Sequence, residues 1–267
     1  METLHKSVLV EDGSGDPIPM PFKSWTNAGV AFTRGDLSMI AGPPGAGKST
    51  VALNIAVGGQ IPTLYFSADS SKATQSIRIV AMVTGQSMTA MRGHIDAMGR
   101  DFWTQEWVQD ALKQASHIRW VWDGQPTLQT LDNELDVYAT TQGTYPEMVV
   151  LDNAGDFLYE SGDEFSSLRS LMKEFKLTCR DLGIAGLTLH HTSEAVQGNP
   201  CPPLFAVQGK INQTPATVVT LGAASAGFLP TCAVKNRNGR AARGGDDPVY
   251  LEYHPDLALL RDWQGLA

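Results

Sequence analysis

Residues 42–49 read GPPGAGKS and satisfy GxxxxGK(S/T) at every fixed position. This motif constrains the fold because it works only between a strand and a helix. Both are written around it. LSMIAG (37–42) is a short apolar run of the kind that forms a buried parallel strand, and GKSTVALNIAVGG (47–59) is helical until two glycines stop it. In that setting the backbone N–H groups of 45–49 point at phosphate oxygens, helped by the helix N-terminus. Gly45 and Gly47 permit the close approach and unusual φ that such a loop needs. Lys48 is placed to neutralise charge on the β- and γ-phosphates, and Ser49 to ligate Mg2+. The expected cradle is Gly42, Pro43, Pro44, Gly45, Ala46, Gly47, Lys48, Ser49 and Thr50, with ATP and Mg2+ as cofactors.

The pattern continues along the chain. TLYFSA (63–68), HIRWVWDG (117–124), EMVVLDNAG (147–155) and IAGLTLHHT (184–192) read as strands. Stretches 70–85, 101–116, 127–143 and 164–183 read as helices, and 217–263 as three or four strands joined by Gly-rich turns. Strands alternating with helices predict an α/β fold: a mostly parallel sheet with helices on both faces. A chain of 267 residues, 42% hydrophobic, suits one such domain over 21–267, preceded by an extended arm or linker at 1–20. No apolar run reaches the roughly 18 residues of a membrane span. The N-terminus lacks signal-peptide order. Cys179, Cys201 and Cys232 are too scattered for a disulfide framework or a zinc site, which reads as a reducing, cytoplasmic setting. The net charge of −8 argues against tight nonspecific duplex binding, but a local basic channel stays open because net charge averages over faces.

Further residues stand where ligands bind in open α/β sheets, at the ends of apolar strands. Asp152 ends MVVLD and is placed to hold Mg2+ through a water. Asp69 ends the strand after the phosphate-loop helix. It has two readings, a carboxylate orienting the attacking water or the cap of the 70–85 helix. His190 and His191 end a later strand, where either is placed to touch a γ-phosphate. Finally, VKNRNGR (234–240) gathers Lys235, Arg237 and Arg240 late in an acidic chain. It reads as a solvated hairpin tip, a DNA-phosphate contact, or a device that reaches another active site.

With these pieces in order, residues 22–263 resemble the RecA-like ATPase core of DnaB-type replicative helicases, and are nearly as similar to RecA/RadA recombinase cores. TLYFSAD resembles the strand that ends on the family's catalytic Glu, so Asp69 takes that place one methylene short. MVVLDN resembles the magnesium strand. GLTLHHTSEA resembles the strand carrying a γ-phosphate sensor, with His190 where Gln is usual; RepA-like plasmid helicases are the better match there. TCAVKNRNGRAARGG resembles the C-terminal hairpin with a K-x-R-x-G signature. The resemblance makes Lys235 and Arg237 trans-acting fingers on a neighbour's ATP and leaves Arg240 and Arg243 as loop charges.

The resemblance further implies a homo-oligomer, a hexameric ring, on single-stranded DNA, with replication or recombination partners in a bacterial or phage-infected cell. DNA contacts are expected from loops 157–166 and 193–214. The first is acidic; the second offers Lys210, Asn212 and Gln213 to phosphates and Phe205 for stacking. The activity implied is an ATP-dependent DNA helicase or translocase. A RecA/RadA-like recombinase or annealing ATPase that forms filaments is the alternative, and a nucleotide-dependent interaction module with little hydrolysis is a third.

Overall fold

The computed structural model describes residues 15–158, 164–193 and 199–263. Among these, nine strands form one sheet: β1 (Leu37–Gly42), β2 (Thr63–Ser67), β3 (Ile118–Val121), β4 (Met148–Asp152), β5 (Ala185–His191), β6 (Thr217–Leu221), β7 (Phe228–Asn236), β8 (Val249–His254) and β9 (Leu259–Asp262). Their order is β3-β2-β4-β5-β1-β6-β7-β8-β9. The pairings from β3 through to β6 are parallel, and those from β6 to β9 antiparallel. This is the expected mostly parallel sheet with an antiparallel C-terminal extension.

Helices α1 (Lys23–Asn27), α2 (Lys48–Gly58), α3 (Lys72–Thr84), α4 (Met88–Met98), α5 (Glu106–Lys113), α6 (Leu128–Gln142) and α7 (Glu164–Leu182) flank it. Both faces of the parallel part are covered, so β1, β2 and β4 are buried along their whole length. Successive side chains alternate between two cores. Ile40, Tyr65 and Val150 join Val51 and Ile55 of α2 on one face. Met39, Phe66 and Leu151 join Leu135 of α6 and Phe175 of α7 on the other.

Local chemistry sets the helix ends. Ser71 caps α3, its Oγ accepting from the Thr74 amide at 3.2 Å, and Gly85 closes it with φ +69°. Asp69 is therefore not the cap. The sequence reading misses helix α4 (MTAMRGHIDAM), although Met88, Met91, Ile95 and Met98 recur there at helical spacing. Only Met91 of it is buried, in a small third core with Val80, Phe102 and Val108. The last part of the expected arm is packed: Ile18 is buried and its amide donates to Phe32 O at 2.8 Å.

One register relation matters for function. Ser38, near the start of β1, pairs with Thr217, which pairs with Asn236. The end of β7 thus lies level with the beginning of β1, whereas the phosphate loop leaves from the other end of β1, after Gly42.

Candidate active site

The phosphate loop has the backbone that its glycines allow: φ is +77° at Gly45 and +89° at Gly47. A Cβ on Gly42 would meet Ala46 Cβ and Leu221 Cβ at 3.2 Å, so the strand-to-loop corner is closed to side chains. Lys48 is buried, and its Nζ donates to Gly42 O and Pro43 O, both at 3.0 Å. Burial lowers its pKa, while Asp152 and Asp69 act to hold the proton on. A cavity of about 450 Å³ opens over the loop, lined among others by Lys48, Ser49, Thr50, Asp69, Arg78 and Asp152.

Asp152 is buried at the end of β4. Its Oδ1 accepts from Ser49 Oγ at 3.1 Å and its Oδ2 from the buried Tyr65 hydroxyl at 2.8 Å. Burial raises its pKa, and the two hydrogen bonds and the Arg78 charge act against that rise. Asp69 is exposed to the same cavity from the neighbouring strand end. The turn that presents it is fixed from behind: Ser67 Oγ donates to Ser70 O at 3.0 Å, and Gln75 Nε2 donates to Ser67 Oγ at 3.1 Å.

Arg78 is a site residue that the sequence reading misses. It reaches the cavity from α3, its Nη1 lying 3.3 Å from both Ser70 Oγ and Gln75 Oε1. A signal exists, since it is the only charged residue between Lys72 and Arg92. Tyr253 and Pro255, from the β8 end, and Met88 of α4 close another side of the cavity and are missed as well. The Tyr253 hydroxyl lies 3.3 Å from where a Cβ on Gly47 would stand.

The histidine assignment needs correction. His191, not His190, faces the site: its Nδ1 lies 3.3 Å from Lys48 Nζ and its Nε2 3.4 Å from Asn153 Nδ2. Burial and the Lys48 charge lower its pKa. Both ring nitrogens face donors, the Lys48 ammonium and the Asn153 amide, so a neutral imidazole accepts from one of them at a time. His190 points into the interior, because consecutive strand residues face opposite ways. Burial and the neighbouring His191 push its pKa down to about 4, against a contact with the backbone at Gln208.

The basic turn also divides. Lys235 does not extend outward: its Nζ donates to Asn212 O and Gln213 O, both at 2.8 Å. Burial and the charges of Arg237 and Lys176 depress its pKa to about 8. Arg237 is exposed; its amide donates to Ala216 O at 3.1 Å, and among the described residues its side chain bonds to Gln213 O, 3.5 Å from Nη2. Arg240 pairs with Asp247 at 2.9 Å, as a loop charge. Among the expected DNA contacts, Lys210 is exposed and Phe205 is 78% exposed. Asn212 is a fold contact instead, its Nδ2 donating to Leu204 O at 2.7 Å, while the Gln213 side chain stays exposed. Residues 159–163 and 194–198 of the two expected loops lie outside the described residues.

These residues fit Mg-ATP. The loop is a concave run of amides with no side chain at its two left-handed positions, and Ser49 and Asp152 offer paired hard oxygens beside it.

Comparison with known proteins bears on the family and the fold. A family model described as an AAA domain matches residues 5–197. The Gene 65 protein of Mycobacterium phage L5 is 31% identical over 271 residues, covering 98% of this chain and 99% of that protein. The Gene 65 protein of Mycobacterium phage D29 is 33% identical over 233 residues, covering 84% of this chain and 98% of that one. Among solved structures, a DnaB-like replicative helicase, described with its primase interactions, superposes with a TM-score of 0.80 at 14% identity. That match covers 98% of this chain, which spans 65% of the helicase's length. A second solved structure, described as an ATPase domain, superposes with a TM-score of 0.79 at 14% identity, covering 98% of this chain and 96% of that domain. The fold is the RecA-like core of DnaB-type ATPases.

Proposed function

We propose that this chain, which belongs to the AAA domain family, is the subunit of a ring-shaped ATP-driven motor on single-stranded DNA, a helicase or translocase whose active sites are shared between neighbours. One observation carries the sharing. The turn bearing Arg237 sits level with the start of β1. From Ser38 to Gly42 the strand rises about 13 Å, before the phosphate loop begins. Arg237 is therefore too far to serve its own nucleotide and is free to serve the next one.

The geometry supports the following division of labour. Lys48 exchanges the carbonyls of Gly42 and Pro43 for β- and γ-phosphate oxygens. Ser49 and Asp152 would hold Mg2+, which when bound neutralises charge on those oxygens. Asp69 orients the attacking water. Arg78 adds a fixed positive charge beside both carboxylates. His191, bonded to Lys48, stands where gain or loss of a γ-phosphate shifts its contact. Tyr253 and Pro255 wall the side on which the rest of the nucleotide lies. Arg237 of the neighbouring copy completes the charge stabilisation, a contribution of roughly 10³–10⁵ in rate for such arginines. Thr192 and Ser193, just beyond His191, pair with Val207 and Ala206 of the 199–214 segment, through which nucleotide state reaches DNA.

Electron microscopy of the chain with a nonhydrolysable ATP analogue and single-stranded DNA tests this. Closed rings, with strand separation on a forked duplex when ATP is supplied, are expected. Open filaments without strand separation would replace the helicase with a recombinase-type assembly. ATP hydrolysis indifferent to DNA, in intact assemblies, would leave a nucleotide-dependent interaction module.

A further inference from the structure

The segment expected to meet DNA carries little charge of its own. Between residues 199 and 214 the one basic residue is Lys210. The helix it lies against supplies the rest. The turn at Gln208–Gln213 packs along α7, with Ile211 in the same core as Leu171 and Phe175.

On α7, Arg169, Lys173, Lys176 and Arg180 recur at spacings of four, three and four. Residues so spaced share one flank of a helix. From first to last they span about 16 Å along its axis. The carboxylates Glu174 and Asp181 fall on the other flank, in the groove toward Asp132 and Asp136 of α6. The helix is thus electrically two-sided in a chain of net charge −8. Lys173 is exposed and Arg169 half-buried, while the exposed Arg180 at the far end is paired with Asp181 at 3.0 Å. Lys176 pairs with Asp36 at 2.7 Å and is near enough to Lys235 to help depress its pKa. Lys235 in turn holds Asn212 O and Gln213 O. The basic flank, Lys235 and the 208–213 turn therefore form one continuous surface. The Phe205 ring, in the turn that Asn212 ties to this segment, stands in solvent beside it.

We infer that the basic flank of α7 is a phosphate rail for single-stranded DNA. Arg169 and Lys173 take successive backbone phosphates alongside Lys210, and Phe205 stacks on a base. The inference rests on the DNA-motor reading above and adds a binding surface outside the loops. No sequence preference is expected, because every contact but the stack is to the backbone.

The test is fluorescence anisotropy of labelled oligo-dT with the full chain and a nonhydrolysable ATP analogue, across a salt series. In the Arg169→Gln/Lys173→Gln double variant, affinity is expected to fall roughly tenfold or more, and the slope of log K against log salt to flatten by about 1.4, two contacts at about 0.7 each. Glu174→Gln, on the other flank, should bind like the wild type, and DNA-free ATP hydrolysis should be unchanged in each variant. Lys173→Glu alone, at an exposed position, should weaken binding in the same direction if the double variant loses its thermal transition. Stripe variants that bind with wild-type affinity and salt slope, while the wild type binds DNA normally, overturn the rail and leave the motor standing. A wild-type chain that hydrolyses ATP but binds no single-stranded DNA overturns both.

Discussion

The Ser49 hydroxyl donates to Asp152 Oδ1 across 3.1 Å, joining the first turn of the phosphate-loop helix to the end of β4. The other carboxylate oxygen accepts from Tyr65, buried on β2. Asp152 thus has two separable duties. Asp152→Asn keeps a hydrogen-bonding group against both hydroxyls and removes the charge. Its melting temperature should stay near that of the wild type, while Mg2+-dependent ATP hydrolysis falls by two orders of magnitude or more. Asp152→Ala also strands the Tyr65 hydroxyl, which should cost about 1–3 kcal/mol in chemical denaturation. Equal stability losses in the two variants would show that the carboxylate's charge, not the orphaned hydroxyl, dominates.

Asp69 is set by a turn that Ser67, Ser70 and Gln75 brace, and the helix cap is Ser71. The water-orienting role proposed for it can be tested directly. Asp69→Asn should lower kcat by roughly 10²–10⁴, the usual weight of a general base, with ATP affinity little changed. Asp69→Glu should retain most activity, since the cavity is open on that side. Loss of ATP affinity in Asp69→Asn, measured by equilibrium binding, would make the residue a ligand-holding group instead.

Much of this site is legible in the sequence because local signals and long-range packing agree. LSMIAG forms the strand it suggests, since both faces of that strand are covered by helices whose own apolar faces are evident. Asp152 is legible as the polar residue that ends an apolar run. The misses have a common physical origin. Which of His190 and His191 faces the loop depends on strand parity, and adjacent residues differ in it by half a turn. Lys235 is committed to carbonyls 22 and 23 residues away, a contact that no local pattern encodes. Arg78 and Tyr253 enter the cavity from α3 and β8, which lie beside it only once the sheet order is known.

Buried His190 should make the fold sensitive to acid. Its pKa is about 4 in the folded chain and 6.5 otherwise, so the unfolded chain binds the extra proton first as pH falls. Stability is then full above pH 6.5 and lost as pH falls from there toward 4. The integrated loss is about 3 kcal/mol. His190→Gln, which cannot charge, should flatten the melting-temperature profile over that window. A wild-type and a variant profile that run parallel would show that His190 is hydrated or already charged in the folded state.

Arg237 and the phosphate loop lie at opposite ends of the parallel sheet, and in the proposed shared-site motor one intact active site needs two chains. Lys48→Ala and Arg237→Ala subunits should each be nearly inactive alone, for different reasons. The first lacks the loop lysine and the second lacks the finger it lends. In an equal mixture, an intact interface forms where an Arg237→Ala subunit holds the nucleotide and a Lys48→Ala subunit lies on its finger side. For random assembly that is about one interface in four, so hydrolysis should recover to at most a quarter of the wild-type rate. Lys235→Ala is expected to behave otherwise. Its ammonium is held by its own chain, so mixing should rescue it less than it rescues Arg237→Ala, and amide exchange at residues 211–214 should rise in the isolated subunit. If no mixture recovers activity although mixed oligomers are seen by mass spectrometry, Arg237 does not act across the interface, and the shared-site motor fails with it.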